Sequence, residues 1–349
     1  MRFLLLSDTH GKLGIINELA ADLQADAVIH AGDFGFYDDT SYERLSEREL
    51  RLQIKHSDLP IKDKQRILAL SHEERIAAAR KECPLSELPL YVEGRRRFAV
   101  PVYAVWGNHE DKHIVELFAG GDLEVENLHV LTGRTVHQVG PALVYGVGGN
   151  LLAGSKFMQR PIAGGAGKIW STLRQYSDLI EVVDGQADQP GTRIFVSHVS
   201  PGKEPFVELV AARTWADFTV SGHMGAPTCM VWNPFAISSV DEAIRRLQDG
   251  FEEVRKTHLG GSPAKATWVK EAFALIARLP EGAAHAGRRT RAPRWYRGMT
   301  HINLPDAHVG YAVLDTEGDR TATKTRLVTG AYSGDACWPR EVFTRYTTP

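Results

Sequence analysis

The chain has 349 residues, a formal net charge of -2 and 43% hydrophobic residues, values ordinary for a globular protein with a sizeable buried core. So small a net charge supplies no global field toward nucleic acid or an anionic membrane. Three scattered cysteines, Cys83, Cys229 and Cys337, form neither a disulfide framework nor a metal-type pair, which points to a reducing compartment and a cytoplasmic protein.

Arg2 precedes a short apolar run, Phe3–Leu6, that stops at Ser7-Asp8. That is too short for the core of a signal peptide, and it reads as a first buried strand. No run approaches the roughly 18 apolar residues of a membrane span. After Asp8–Gly11, Leu13, Ile16, Leu19, Ala20 and Leu23 recur at helical spacing, and Ala27–Ile29 follows. A crossover this short implies a parallel strand pair.

Residues 40–98 interrupt the pattern. They are rich in Glu, Arg and Lys, with Leu45, Leu50, Leu52, Ile54, Ile67, Leu68, Leu70 and Ile76 at helical intervals. This reads as a helical insertion ending at Pro84 and Pro89. It is either a solvated helical pair at a sheet edge or a cap over a site. Strand patterns resume at Val100 and at Ala142–Val147, and residues 153–168 read as a mobile glycine-rich loop. A second insertion spans about 236–297, with helices expected over Val240–Phe251 and Ala266–Leu279. Strands Tyr311–Leu314 and Thr323–Val328 close the chain. No Pro/Ser-rich linker divides it, so a single domain over 1–349 with two insertions is expected.

Metal-ligand residue types recur at the ends of these strands. They are Asp8-Thr9-His10, Gly32-Asp33, Gly107-Asn108-His109-Glu110, His198 and Gly222-His223. Carboxylates, amides and imidazoles hold hard-to-borderline divalent cations, and open α/β sheets place their ligands at strand C-terminal ends. Two such cations about 3.5–4 Å apart clamp phosphoryl oxygens and activate a water. His109 stands where a general acid would face the leaving group, and Glu110 could orient it or a ligand. A single histidine is usually structural, and His30, inside a strand, reads that way; the ordered set reverses this for His10, His109, His198 and His223.

The order Asp-x-His, Gly-Asp, Gly-Asn-His-Glu, His, Gly-His resembles the calcineurin-like metallophosphoesterase superfamily over about residues 1–235. The resemblance implies an α/β fold, a two-sheet β-sandwich flanked by helices. It implies Asp8, His10 and Asp33 on a first metal, Asp33, Asn108, His198 and His223 on a second, and His109 as the catalytic residue. The implied cofactor is a pair of divalent ions, Mn, Fe or Zn, and the implied partner is a phosphomonoester or phosphodiester substrate. Phe34–Thr40 and Asn303-Leu304-Pro305-Asp306 further resemble a fungal branch of that superfamily, which adds no substrate.

Two departures stand out. The family's last motif is commonly Gly-His-x-His, but this chain reads Gly222-His223-Met224-Gly225, so water, His301 or His308 must fill the vacant position. The arginine that follows Gly-Asp in the protein phosphatases is absent from Gly32–Tyr37. Arg95, Arg96 and Arg97, together with Arg291 and Arg294 in the run 288–297, are candidate contacts for a polyanionic substrate, or solvated turns. With Trp295 and Tyr296, that second run keeps open a rival reading, a nucleic-acid-binding or scaffolding protein with a weakened metal site. Oligomeric state is open.

Overall fold

The computed structural model describes residues 1–151, 155–158, 162–225, 230–232, 239–259, 267–278, 296, 298–318, 323–331 and 343–347. The first half runs β1 (Arg2–Leu6), α1 (Gly14–Asp22), β2 (Ala27–His30), α2 (Glu47–His56), α3 (Ile61–Ala69), α4 (His72–Glu82), α5 (Leu88–Val92), β3 (Val102–Ala104), α6 (Lys112–Gly120), β4 (Leu128–Val130), β5 (His137–Val139) and β6 (Ala142–Val147). It continues with β7 (Ala163–Gly165), β8 (Lys168–Trp170), α7 (Leu173–Asp184), β9 (Thr192–Ser197), α8 (Pro205–Arg213), β10 (Phe218–Ser221) and β11 (Met230–Trp232). The last part holds α9 (Val240–Leu259), α10 (Thr267–Ile276), β12 (Thr300–Asn303), β13 (Gly310–Gly318), β14 (Thr323–Ala331) and β15 (Phe343–Thr347).

Two mixed sheets result, in the orders β15-β14-β13-β1-β2-β3-β4 and β11-β12-β10-β9-β6-β5. The central strands β1, β2, β3 and β4 are parallel, as are β6, β9, β10 and β12. Both faces of β1 are covered, so its sequence is continuously apolar rather than alternating. Phe3 and Leu5 face the second sheet, where they meet Val144, Ile194, Val196 and Val220. Leu4 and Leu6 face outward onto Ile16, Leu19 and Ala20 of α1 and onto Ile114 and Val115 of α6. The outer face of the second sheet packs Tyr145, Val147 and Phe195 against Leu179, Phe206, Leu247 and Phe273 of α7 to α10. This is the expected α/β sandwich, four layers deep.

The first insertion is helical, as its spacing predicts, and has its own small core of Tyr37, Leu45, Leu50, Ile54, Ile67 and Ala79. The second carries α9 and α10, with α9 eight residues longer than expected. Residues 153–168 differ from the expected loop. Their C-terminal part forms the β7–β8 hairpin, because Ala166 and Gly167, the two residues between the strands, both take the positive φ that a tight reversal needs. No described helix is long and apolar enough to cross a membrane.

Candidate metal centre and general acid

Seven of the parallel strands deliver polar groups at their C-terminal ends. Asp8 and His10 follow β1, Asp33 follows β2, Asn108 follows β3, Asn150 follows β6, His198 follows β9, His223 follows β10 and Asp306 follows β12. The chain reverses so sharply there that Asp8 (φ 54), His10 (φ 47), Asp33 (φ 49) and His223 (φ 61) all lie in the left-handed region. They are four of the eight described non-glycine residues with positive φ, and strain of this kind gathers at functional sites. Gly107 is required by close approach, since a Cβ there would stand 1.9 Å from Asp33 Oδ1.

The donors converge. Ligand atoms of Asp8, Asp33 and His198 lie within 4.8 Å of one another, as do those of Asp8, His10 and Asp306. Asp8, Asp33, Asn108, His198 and Asp306 are buried. The His198 Nδ1–H donates to the Ala31 carbonyl (2.8 Å), so its Nε2 presents a lone pair to Asn108 Oδ1, 2.8 Å away, and to Asp33 Oδ1 at 3.7 Å. Burial lowers the His198 pKa, which keeps the ring neutral. Electron-rich atoms thus face each other with a cation as their natural complement, and this oxygen and imidazole set fits divalent metals. Burial, then the Asp33 charge, pushes the Asp8 carboxyl up to about 7, a penalty that a cation at this point would lift. Burial would raise Asp33 too, but the His198, His109 and His10 rings and the His109 backbone N–H (2.8 Å) outweigh it and hold that carboxyl well below its usual range. Burial, then His198, lowers His223 to about 3, and the Asn150 amide nitrogen stands 3.3 Å from its Nε2.

His109 is one-fifth exposed, and its Nδ1 lies 2.7 Å from Oε2 of Glu49, a fully buried carboxylate on α2. Burial lowers the imidazole pKa, but the Glu49 hydrogen bond and the Asp33 and Glu49 charges overcome this and raise it. Glu110, expected to orient His109 or a ligand, acts on the backbone beside Asp33 rather than on the His109 ring. Its carboxylate accepts from the backbone N–H groups of Phe34, Gly35, Phe36 and Gly107 and so shapes the loop that carries Asp33. Glu49 could have been noticed from Ser46-Glu47-Arg48-Glu49, the pattern of a capping box. Ser46 does accept from the Glu49 N–H at 3.2 Å, but the Glu49 carboxylate turns to His109 instead of closing the box.

The insertion therefore covers the site. Gln53 donates to the Tyr37 hydroxyl, which donates to the His109 carbonyl. The His56 ring meets the His10 ring edge-on at 4.7 Å. A cavity of about 620 Å³ opens beside His10, lined also by Lys12, Gln53, His56, Ser86 and His308. A second recess, about 350 Å³, adjoins His109 and is lined by Arg48, Glu49, Arg51, Lys55 and Lys168.

Other expected residues are placed elsewhere. Arg95, Arg96 and Arg97 pair with Glu93, Glu87 and Glu126 and line neither cavity. Arg291 and Arg294 lie outside the described residues, as do most of the run 288–297, Cys229 and Cys337. His30 is a buried structural residue, its Nε2 3.0 Å from Thr9 Oγ1 and its Nδ1 accepting the Gly32 N–H. His301 is fully buried, with Nδ1 2.6 Å from Thr219 Oγ1 and Nε2 3.7 Å from Glu208.

A two-sheet α/β sandwich with carboxylates, an amide and imidazoles gathered at its strand ends defines a class, the metal-dependent hydrolases of dinuclear type. A family model for calcineurin-like phosphoesterases matches residues 1–227, and the chain belongs to that family, among the metal-dependent phosphohydrolases. Two solved structures align with 95% of this chain and 99% of their own, each at 10% identity. One is a crystal structure at a TM-score of 0.48, the other a dimetal phosphatase from Danio rerio at 0.34. No curated protein matches the chain.

Proposed function

We propose that this chain hydrolyses phosphoesters with a charged leaving group, using His109 as the general acid. The observation that carries the reading is the convergence of Asp8, His10, Asp33 and His198 at strand ends, with Asn108 against His198 and the His223 ring 4.8 Å from the His198 ring, beside an imidazole held by a buried glutamate. Asp8, His10 and Asp33 would hold one divalent cation, and Asp33, Asn108, His198 and His223 the other. Such a pair, Mn, Fe or Zn, neutralises phosphoryl charge and provides a nucleophilic water at neutral pH.

The chain's own residues do the rest. Asp33 belongs with Asp8 and His198 to one donor group and is kept ionised by the His198, His109 and His10 rings around it. Glu49 accepts the Nδ1 proton of His109, which leaves Nε2 to carry the proton delivered to the departing oxygen. Burial opposes it, but the Glu49 hydrogen bond and the Asp33 and Glu49 charges raise the His109 pKa, which favours the proton-carrying form of the ring. The leaving group emerges beside His109 into the recess lined by Arg48, Lys55 and Lys168. Of these, Lys168 is engaged with Glu49 at 3.3 Å, so Arg48 and Lys55 are the cations best placed to meet an anionic leaving group.

The test is a metal-by-substrate screen of chelated, reconstituted protein with Mn²⁺, Fe²⁺ and Zn²⁺. It would cover aryl phosphate mono- and diesters, cyclic nucleotides, phosphorylated alcohols and single-stranded DNA and RNA. Turnover restored by metal, fastest on substrates with charged leaving groups, is expected. Salt-sensitive nucleic-acid binding without turnover under any metal would overturn the reading.

A further inference from the structure

Gly225, in the segment after β10, offers no side chain where the family commonly has a histidine. The structure brings a different residue to the donor group of Asp8 and His10. Strands β10 and β12 are parallel and in register, with Ser221 opposite Asn303, and the Leu304 N–H donates to the Ser221 carbonyl at 2.7 Å. The segments Gly222–Gly225 and Leu304–Asp306 therefore leave the sheet side by side. Three residues beyond Asn303, the carboxylate of Asp306 comes within 4.8 Å of the ligand atoms of Asp8 and His10. Asp306 is 8% exposed, and among the described residues no lysine or arginine forms an ion pair with Asp8, Asp33 or Asp306. Its backbone carbonyl closes the turn onto Val309 and Gly310, so the turn itself does not need the carboxylate.

We propose that Asp306 is a protein ligand of the first metal, supplied by the strand next to the one that carries the family motif. Of the two histidines otherwise available, His301 is buried against Thr219 and Glu208, and His308 is an exposed residue of the cavity wall. With Asp306 the first site becomes three carboxylates and one imidazole, Asp8, Asp33, Asp306 and His10. The second keeps two imidazoles, an amide and the shared carboxylate. Carboxylate-rich sites suit hard cations, so the first site takes Mn²⁺ or Mg²⁺ in preference to Zn²⁺. The inference rests on the dinuclear reading above and goes beyond it by naming a ligand and a metal preference.

The experiment is calorimetric titration of the chelated full-length chain with Mn²⁺, alongside the electron paramagnetic resonance spectrum of the Mn²⁺-loaded protein. The wild type is expected to take up two ions and show a spin-coupled pair. Asp306→Ala should weaken one of the two sites by at least about 10-fold, leave the other unchanged and lose the coupled signal. Asp306→Asn, closest in shape, should behave the same way with its thermal unfolding intact. Asp306→His should restore the second ion and shift that site toward Zn²⁺. If Asp306→Ala and Asp306→Asn both bind two Mn²⁺ with the wild-type isotherm, the inference is wrong while the dinuclear centre stands. A wild type that binds fewer than two ions overturns both.

Discussion

Glu49 Oε2 lies 2.7 Å from His109 Nδ1, although the two residues belong to different parts of the fold. His109 leaves β3 of the central sheet, and Glu49 sits in the first turn of α2, inside the inserted helices. The insertion thus reaches the His109 imidazole directly through this hydrogen bond. Lys168, from the β7–β8 hairpin, holds the other oxygen of Glu49 at 3.3 Å.

Substituting either partner separates proton delivery from metal binding. His109→Ala should keep its metal content and lose about 10²–10⁴-fold in turnover, the usual worth of a general acid. Glu49→Gln should lose less and also retain its metals. Both losses should shrink for aryl esters with good leaving groups, which need little protonation. Rates across a leaving-group series settle the matter: equal losses along it would show that His109 only positions the substrate.

The bridging role proposed for Asp33, which groups with Asp8 and His198, predicts that Asp33→Asn prevents uptake of the metal pair and abolishes turnover while leaving the fold intact. Metal analysis of the purified variant, with circular dichroism as the control, reads this directly. Two retained ions and a near-normal rate would refute the bridging role.

Arg48 and Lys55 border the recess beside His109. Their joint replacement by alanine should raise KM about tenfold for a substrate whose leaving group carries its own phosphate, on the order of 1.4 kcal/mol. For p-nitrophenyl phosphate KM should stay level, and kcat should hold for both. A parallel rise for both substrates would mean that the two cations act on the scissile phosphate itself.

The buried His30 makes the fold acid-sensitive. Burial, then the His198 charge, lowers its pKa from 6.5 to about 3. The folded chain therefore favours the neutral ring, and the unfolded chain takes up the proton first. The stabilisation is complete above the unfolded value of 6.5 and is lost as pH falls through the window down to about 3. Between about pH 7.5 and about pH 5 the loss from this one group is about 2 kcal/mol. Urea denaturation of chelated protein at the two pH values measures it, and His30→Gln should flatten the dependence by about one proton. An unaltered slope in the variant would assign the effect to other histidines.

We infer that the whole chain forms one folding unit. The family match ends at residue 227, yet β12 lies between β11 and β10 and β13 lies against β1, deep in the two sheets. A chain cut after residue 235 would expose the edges of β1 and β10 and is expected to be insoluble or unfolded. A cooperative thermal transition in that fragment would contradict the inference.

The sandwich, and the position of the six motif residues at strand ends, could be read from the sequence for one reason. Their chemistry sits in short segments directly after apolar strands, and local pattern reports local structure. Glu49 and Asp306 could not be read that way. Each is distant in sequence from the motifs it joins and arrives through packing, Glu49 on an inserted helix and Asp306 after a strand paired with β10. Only indirect signs existed, a capping box with a redundant glutamate and an aspartate following the last parallel strand. The β7–β8 hairpin was hidden for the opposite reason, since its glycines suit both an open loop and a tight reversal.

The left-handed backbones of Asp8, His10, Asp33 and His223 carry one more implication. Each costs on the order of 1 kcal/mol that a glycine would not incur. Glycine at any of them would relax the chain, and at Asp8 it would also remove a buried carboxyl pushed up to about 7. Selection for thermal robustness alone would therefore erode these positions first. A library sorted only for heat resistance should fill with well-folded, inactive descendants, and only a concurrent demand for turnover would keep the four side chains in place.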